Sequence, residues 1–188
     1  MNRKLLTALI ASTALAAPLA AQAQNASSTV TINGEVEEAC VVGQPTEVTL
    51  ALGDLTGSDG RITPALAGPS TAASTTIDNA WCNAPSTLSL NGSPMALTPT
   101  PGYATPAGFA RLVTYDATLT GWPTLLVDRP INGDAAKTVD ADGAHASALL
   151  LEISALEALD AGGTAPNTTA VLEAGAYSGS VVVSVAVQ

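Results

Sequence analysis

The sequence predicts an all-β fold, a sandwich or barrel of many short strands, and three observations carry that expectation. Apolar residues recur at period two in short runs rich in Val, Thr, Ile and Leu, the spacing at which one face of a strand turns inward. Turn-formers punctuate these runs throughout, with 16 Gly and 12 Pro among 188 residues, as in sandwiches and barrels. The chain is 47% hydrophobic and only 12% charged. It can therefore bury a core, and it lacks the charge density of a disordered polyelectrolyte.

In chain order, residues 1–23 read as a secretory signal. Asn2-Arg-Lys4 is the basic start, Leu5 to Leu19 the apolar run, and Ala21-Gln-Ala23 a small-x-small cleavage site. Pro18, Gln22, Gln24 and Asn25 end the apolar run too early for a stable membrane anchor. No other stretch is long and apolar enough to cross a bilayer, so no membrane insertion is expected after cleavage. Cleavage removes Arg3 and Lys4, leaving Arg61, Arg111, Arg129 and Lys137 against sixteen acidic residues and taking the net charge from −10 to −12. Export leads to an oxidising compartment, where Cys40 and Cys82 are expected to pair. The loop of about forty residues so closed contributes roughly 4 kcal/mol by chain entropy.

The expected strands are Thr29-Val-Thr-Ile-Asn33, Thr46-Glu-Val-Thr-Leu-Ala-Leu52, Ser74-Thr-Thr-Ile-Asp78, Ser86-Thr-Leu-Ser-Leu90, Arg111-Leu-Val-Thr-Tyr115 and a long run from Ser178 to Val187. Turns are expected at Gly57-Ser-Asp-Gly60, Asn91-Gly92, Pro99-Thr-Pro-Gly102, Asn132-Gly133 and Gly162-Gly163. Ala148 to Leu159 fits two periods at once. Its helix formers suit a helix, whereas Leu149, Leu151 and Ile153 alternate with Glu152 and Ser154. A buried strand from about Ser147 to Ser154 is the preferred reading.

Several chemistries lack their parts. An acidic chain offers no basic stripe for nucleic acid. His145 is the single histidine, in a polar stretch where a solvated loop position is expected, and no plausible zinc ligand set accompanies it. No nucleophile-elbow motif surrounds a serine, so no enzyme activity and no cofactor are expected. Asp140-Ala-Asp142-Gly143 resembles a calcium-loop fragment without its closing Glu. Phe109 and Trp122 are expected in the core, while Tyr103 sits in a Pro/Gly loop.

The two ends of the exported chain are more specific. Val30, Ile32, Gly34 and Val36 share one face of a strand preceding the first cysteine. Val181, Val183, Val185 and Val187 share a face of the last strand, after which the sequence provides no hairpin partner. An open edge beside such a strand invites aggregation unless covered, and a strand from another chain is one such cover.

With these residues the sequence resembles the pilins of the chaperone–usher pathway, especially type 1 fimbrial major subunits. Thr29-Val-Thr-Ile-Asn-Gly-Glu-Val-Glu-Glu-Ala-Cys40 is similar to their N-terminal extension, Cys82 lies at about the family's separation, and Gly175 stands fourteenth from the end, where those pilins open their last strand. Pro106 to Trp122 with Ala174-Gly-Ala-Tyr177 is also similar to the related spore-coat-U-type pilins. The family's penultimate aromatic is Val187 here. The resemblance implies an immunoglobulin-like Greek-key sandwich lacking its final strand, residues 38–188, preceded by a donor-strand extension, residues 24–37. It implies donor residues Val30, Ile32, Gly34 and Val36 and an acceptor groove along Gly175, Val181, Val183, Val185 and Val187. The implied partners are identical or related pilin subunits, a periplasmic chaperone and an outer-membrane usher. The implied location is a surface fimbrium reached through the periplasm, where the subunit supports adhesion or biofilm formation. The competing reading is a self-contained secreted β-sandwich that binds glycan or calcium.

Overall fold

The computed structural model describes residues 31–43 and 50–188. The signal segment 1–23, Val30 and residues 46–49 of the expected second strand lie outside the described residues. Residues 36–188 form one unit, and residues 31–35 belong to the unit before it.

The fold is all-β and mostly antiparallel. Its strands are β1 (Cys40–Val41), β2 (Ala73–Cys82), β3 (Ser86–Gly92), β4 (Met95–Thr98), β5 (Phe109–Ala110), β6 (Leu112–Thr120), β7 (Leu126–Asp128), β8 (Lys137–Ala141), β9 (His145–Ala158), β10 (Val171–Leu172), β11 (Ala176–Ser178) and β12 (Val181–Val187). One helical turn, α1 (Pro64–Ala67), interrupts them. The larger sheet runs β1-β2-β9-β6-β4-β11, with β7 also paired to β6; a second runs β12-β3-β8; β5 and β10 form a short parallel pair.

Alternation explains the core. On β9, Leu149, Leu151 and Ile153 are buried; on β3, Ser86, Leu88 and Leu90 are. Buried apolar residues of both sheets, Leu88 and Leu90 of one and Leu149, Leu151 and Ile153 of the other, belong to one cluster. The double periodicity of Ala148–Leu159 now has a physical account: the segment is strand, but its pairing with β6 slips where Thr114 faces Glu157 and Asp116 faces Ser154. Ala155 takes φ +49° there, and the inward phase moves from Ile153 to Leu156 and Ala158. A strand that changes phase once places apolar residues at helix-like spacings.

Three expectations need correction. The run from Ser178 to Val187 is not one strand: β11 pairs with β4 and β12 with β3, so the chain changes sheets at Gly179. A Cβ there would come within 2.9 Å of the Ser93 carbonyl and 3.1 Å of Met95 Cα, so only glycine fits the crossing. Asn91-Gly92 is not a turn but the end of β3, facing Val182 and Val181. Residues 50–52 are not a strand. The turns at Gly57-Ser-Asp-Gly60, Asn132-Gly133 and Gly162-Gly163 stand, with Gly60, Gly133 and Gly163 at positive φ, whereas Pro99-Thr-Pro-Gly102 is an irregular bend.

Cys40 and Cys82 are bonded, S–S 2.05 Å, as directly facing residues of β1 and β2. Just upstream, Asn83 closes a clamp: its Oδ1 accepts from Ala39 N at 2.7 Å and its Nδ2 donates to the Glu37 carbonyl at 2.8 Å.

Candidate functional site

The C-terminal strand β12 is the candidate site. Its seven residues pair with β3 in unbroken register, Val181 facing Gly92 through Val187 facing Ser86. Among the described residues β12 forms no second ladder, so half of its backbone donors and acceptors have no ladder partner among them. Proteins usually blunt such an edge with Lys, Pro or a bulge. Residues 181–187 contain none of these and no charge at all.

Burial across the ladder is lopsided. Leu88 and Leu90 on β3 are fully buried, whereas the facing Val185 and Val183 are only partly buried against the same core. Val181 shares that state, and on the opposite face Val182 is 57% exposed. Period two thus gives β12 an apolar inner row that β3 alone does not cover.

The start of the strand is firmly held. Ser93 N donates to the Ser180 carbonyl at 2.8 Å, and Ser180 N donates to Ser93 Oγ at 2.9 Å. The buried Tyr115 hydroxyl bridges the two, donating toward Ser93 O at 2.8 Å and Ser180 O at 3.1 Å. Burial, and secondarily the Asp128 carboxylate, push its pKa up to about 12. Asp128 itself is buried and accepts from Gly92 N at 2.6 Å. The sequence pattern did not reveal this bracket. The available signal was a tyrosine on a buried strand face, which must find a partner for its hydroxyl. At the far end, Gln188 N donates to the Pro85 carbonyl at 3.1 Å.

The residues singled out in the sequence do not all meet. Val181, Val183, Val185 and Val187 line one face of β12. Gly175 does not join them: it precedes β11 on the other sheet, at φ +151°, where a Cβ would lie 2.4 Å from Leu97 Cδ1. Its neighbourhood is fixed by the Arg111–Glu173 ion pair at 2.8 Å and by Tyr177, whose hydroxyl donates to the Glu173 carbonyl at 2.9 Å. Burial, reinforced by Glu173, pushes the Tyr177 pKa up to about 12. Residues 31–39 carry no regular structure, and Ile32 and Val36 are 90% and 82% exposed. Gly34 has open space around it.

Other expectations shift as well. His145 is not a solvated loop residue: it opens β9 opposite Cys82, its Nε2 lies 3.1 Å from the Gly121 carbonyl, and it meets the Trp122 ring edge-on at 4.6 Å. Trp122 is buried, but Phe109 is 41% exposed because it lies on the short, two-residue β5 at the margin of the fold. Asp140 accepts from Thr87 Oγ1 at 2.7 Å. Among the described residues no group of three or more His, Cys, Asp or Glu side chains is placed to hold a metal.

The fold and site define an all-β, mostly antiparallel multi-sheet protein with one disulfide. The disulfide fits an oxidising, extracytoplasmic setting, and no helix among the described residues is long and apolar enough to cross a membrane. No family model matches the sequence, and no curated protein does either.

Proposed function

We propose that this protein is a structural subunit of a surface fimbrium, polymerising head-to-tail by strand addition. The observation that carries the reading is β12: a charge-free strand with one ladder among the described residues and an incompletely covered inner row of valines. On this reading residues 38–188 are an immunoglobulin-like sandwich lacking its final strand, and the segment containing Val30, Ile32, Gly34 and Val36 is the strand donated to the next subunit. Three aliphatic side chains entering apolar pockets supply roughly 4–9 kcal/mol before ordering costs, while main-chain bonds complete the sheet. Glycine at 34 suits a point where the groove is too shallow for a side chain. Head-to-tail donation does not close on itself, so the product is a filament. A periplasmic chaperone would hold the groove before assembly, and an outer-membrane usher would be the place of exchange.

The test removes residues 24–36 and returns them as a free peptide. A slow, large rise in Tm, abolished by Ile32→Asp in the peptide, supports the reading. A truncated domain that is stable alone and ignores the peptide overturns it.

A further inference from the structure

We propose that the outer face around Trp81 is a binding site for a neutral hexopyranose, the terminal sugar of a glycan. The site lies on β2 and β9, is separate from β12, and does not depend on strand addition.

The argument begins with a bulge. Along β2, Ile77 points inward, and strict alternation would send residues 79 and 81 inward too. Instead the pairing with β9 slips between Ile77 and Ala80, with Asn79 at φ +59°, a backbone state that asparagine tolerates better than most residues. The slip leaves Asp78, Asn79 and Trp81 all on the outer face, and Ala80 and Cys82 inside. The disulfide requires Cys82 to point inward. It does not require an indole beside it, and Trp81 is left 37% exposed in water.

The surroundings of that indole form an open depression. A concavity of about 470 Å³ is bounded by Asp78, Asn79 and Trp81 on β2 and by Ala146, Ser147 and Ala148 on β9. Ala146 on β9 and Val41 on β1 face Trp81 directly in register on its two sides, and Ala146 is the shorter of the two flanking side chains. The Asp78 carboxylate and Asn79 carboxamide bond to no partner among the described residues. An exposed aromatic side chain flanked by a carboxylate and an amide that have no partner among the described residues matches a pyranose: the sugar's apolar C–H face rests on the indole while its hydroxyls donate to Asp78 and exchange hydrogen bonds with Asn79. Bulges and positive-φ residues concentrate where a side chain is re-aimed for use. Charge selects among sugars. Asp78 in a chain of net charge −10 repels sialic and uronic acids and accepts neutral sugars.

The experiment is a 1H–15N NMR titration of the full exported chain. The probes are methyl β-D-galactopyranoside, methyl α-D-mannopyranoside, N,N′-diacetylchitobiose and methyl β-D-glucuronide. Expected is a saturable shift of the Trp81 indole N–H and the Asn79 carboxamide with at least one neutral probe, at a Kd on the order of 1 mM, and at least about tenfold weaker binding of the glucuronide. Trp81→Ala should weaken binding at least about tenfold. Ala146→Gln, which fills the concavity from an exposed position, should do the same with an unchanged Tm. Shifts absent for every neutral probe up to about 20 mM overturn the proposal, as do shifts that persist in Ala146→Gln.

Discussion

Val185 and Leu88 face each other across the β12–β3 ladder, yet truncating them should have very different consequences. Leu88 is fully buried, so Leu88→Ala loses its transfer free energy and leaves a cavity, about 2–5 kcal/mol in all. Val185→Ala removes two methyl groups, worth about 1.6 kcal/mol at full burial. Val185 is only partly buried, and water can enter the space left, so the cavity contribution disappears and about 1 kcal/mol remains. Urea unfolding of the chain lacking residues 24–36 measures both costs at constant m-value. The two variants should differ by at least about 1 kcal/mol. With the 24–36 peptide bound, the Val185→Ala cost should rise toward its full-burial value, while that of Leu88→Ala stays put. Equal costs in the uncomplexed chain would mean that the inner row of β12 is already covered, and the open-groove argument fails.

Further expectations follow from other parts of the fold. Gly175→Ala forces a Cβ into Leu97 at a φ that only glycine favours, so the thermal midpoint should drop by an amount corresponding to about 1–3 kcal/mol; an unchanged midpoint would mean that β11 relaxes freely. Reduction of Cys40–Cys82 should cost about 4 kcal/mol, read as the difference between urea curves with and without dithiothreitol. Tyr115 and Tyr177 have folded pKa values raised from 10.0 to about 12. Their contribution is therefore complete below pH 10 and is lost as pH rises from about 10 to about 12, because the unfolded state sheds its phenolic protons first. Tyr115→Phe should flatten that alkaline loss by up to about 1.4 kcal/mol per pH unit, at a cost near neutrality of about 1 kcal/mol for the lost hydroxyl bonds. A slope unchanged in Tyr115→Phe would rule the Tyr115 hydroxyl out as a source of the alkaline loss.

The all-β class was legible because alternation survives wherever one strand face meets the core, as at Ser86–Leu90 and Leu149–Ile153. The disulfide was legible from export and a cysteine pair alone. What escaped the sequence lies where a strand stops obeying a single period. The bulges near Asn79 and Ala155 switch the inward phase, and Gly179 hands one apolar run to two sheets. Pairing between residues far apart in sequence, as between Ser178 and Ala96, leaves no local mark. The edge valines were readable as a row, but Gly175 was grouped with them only by its distance from the C-terminus. The Ser93–Tyr115–Ser180 bracket depends on a hydroxyl meeting two carbonyls distant in sequence, which composition does not encode.

The clamp at residues 37–41 has a mechanical meaning. A two-residue strand such as β1 would peel from its sheet one pair at a time under tension applied to the segment before it. Here the first facing pair met from that side is Cys40–Cys82, a covalent bond, preceded by the three hydrogen bonds that Asn83 makes with Ala39 and Glu37. Tension along residues 36–39 breaks at most those contacts before it reaches sulfur. From there it passes into β2 and its long pairing with β9. β9 lies mid-sheet between β2 and β6, so the load is shared along a long ladder and the domain transmits a pull without unravelling from the end that is pulled.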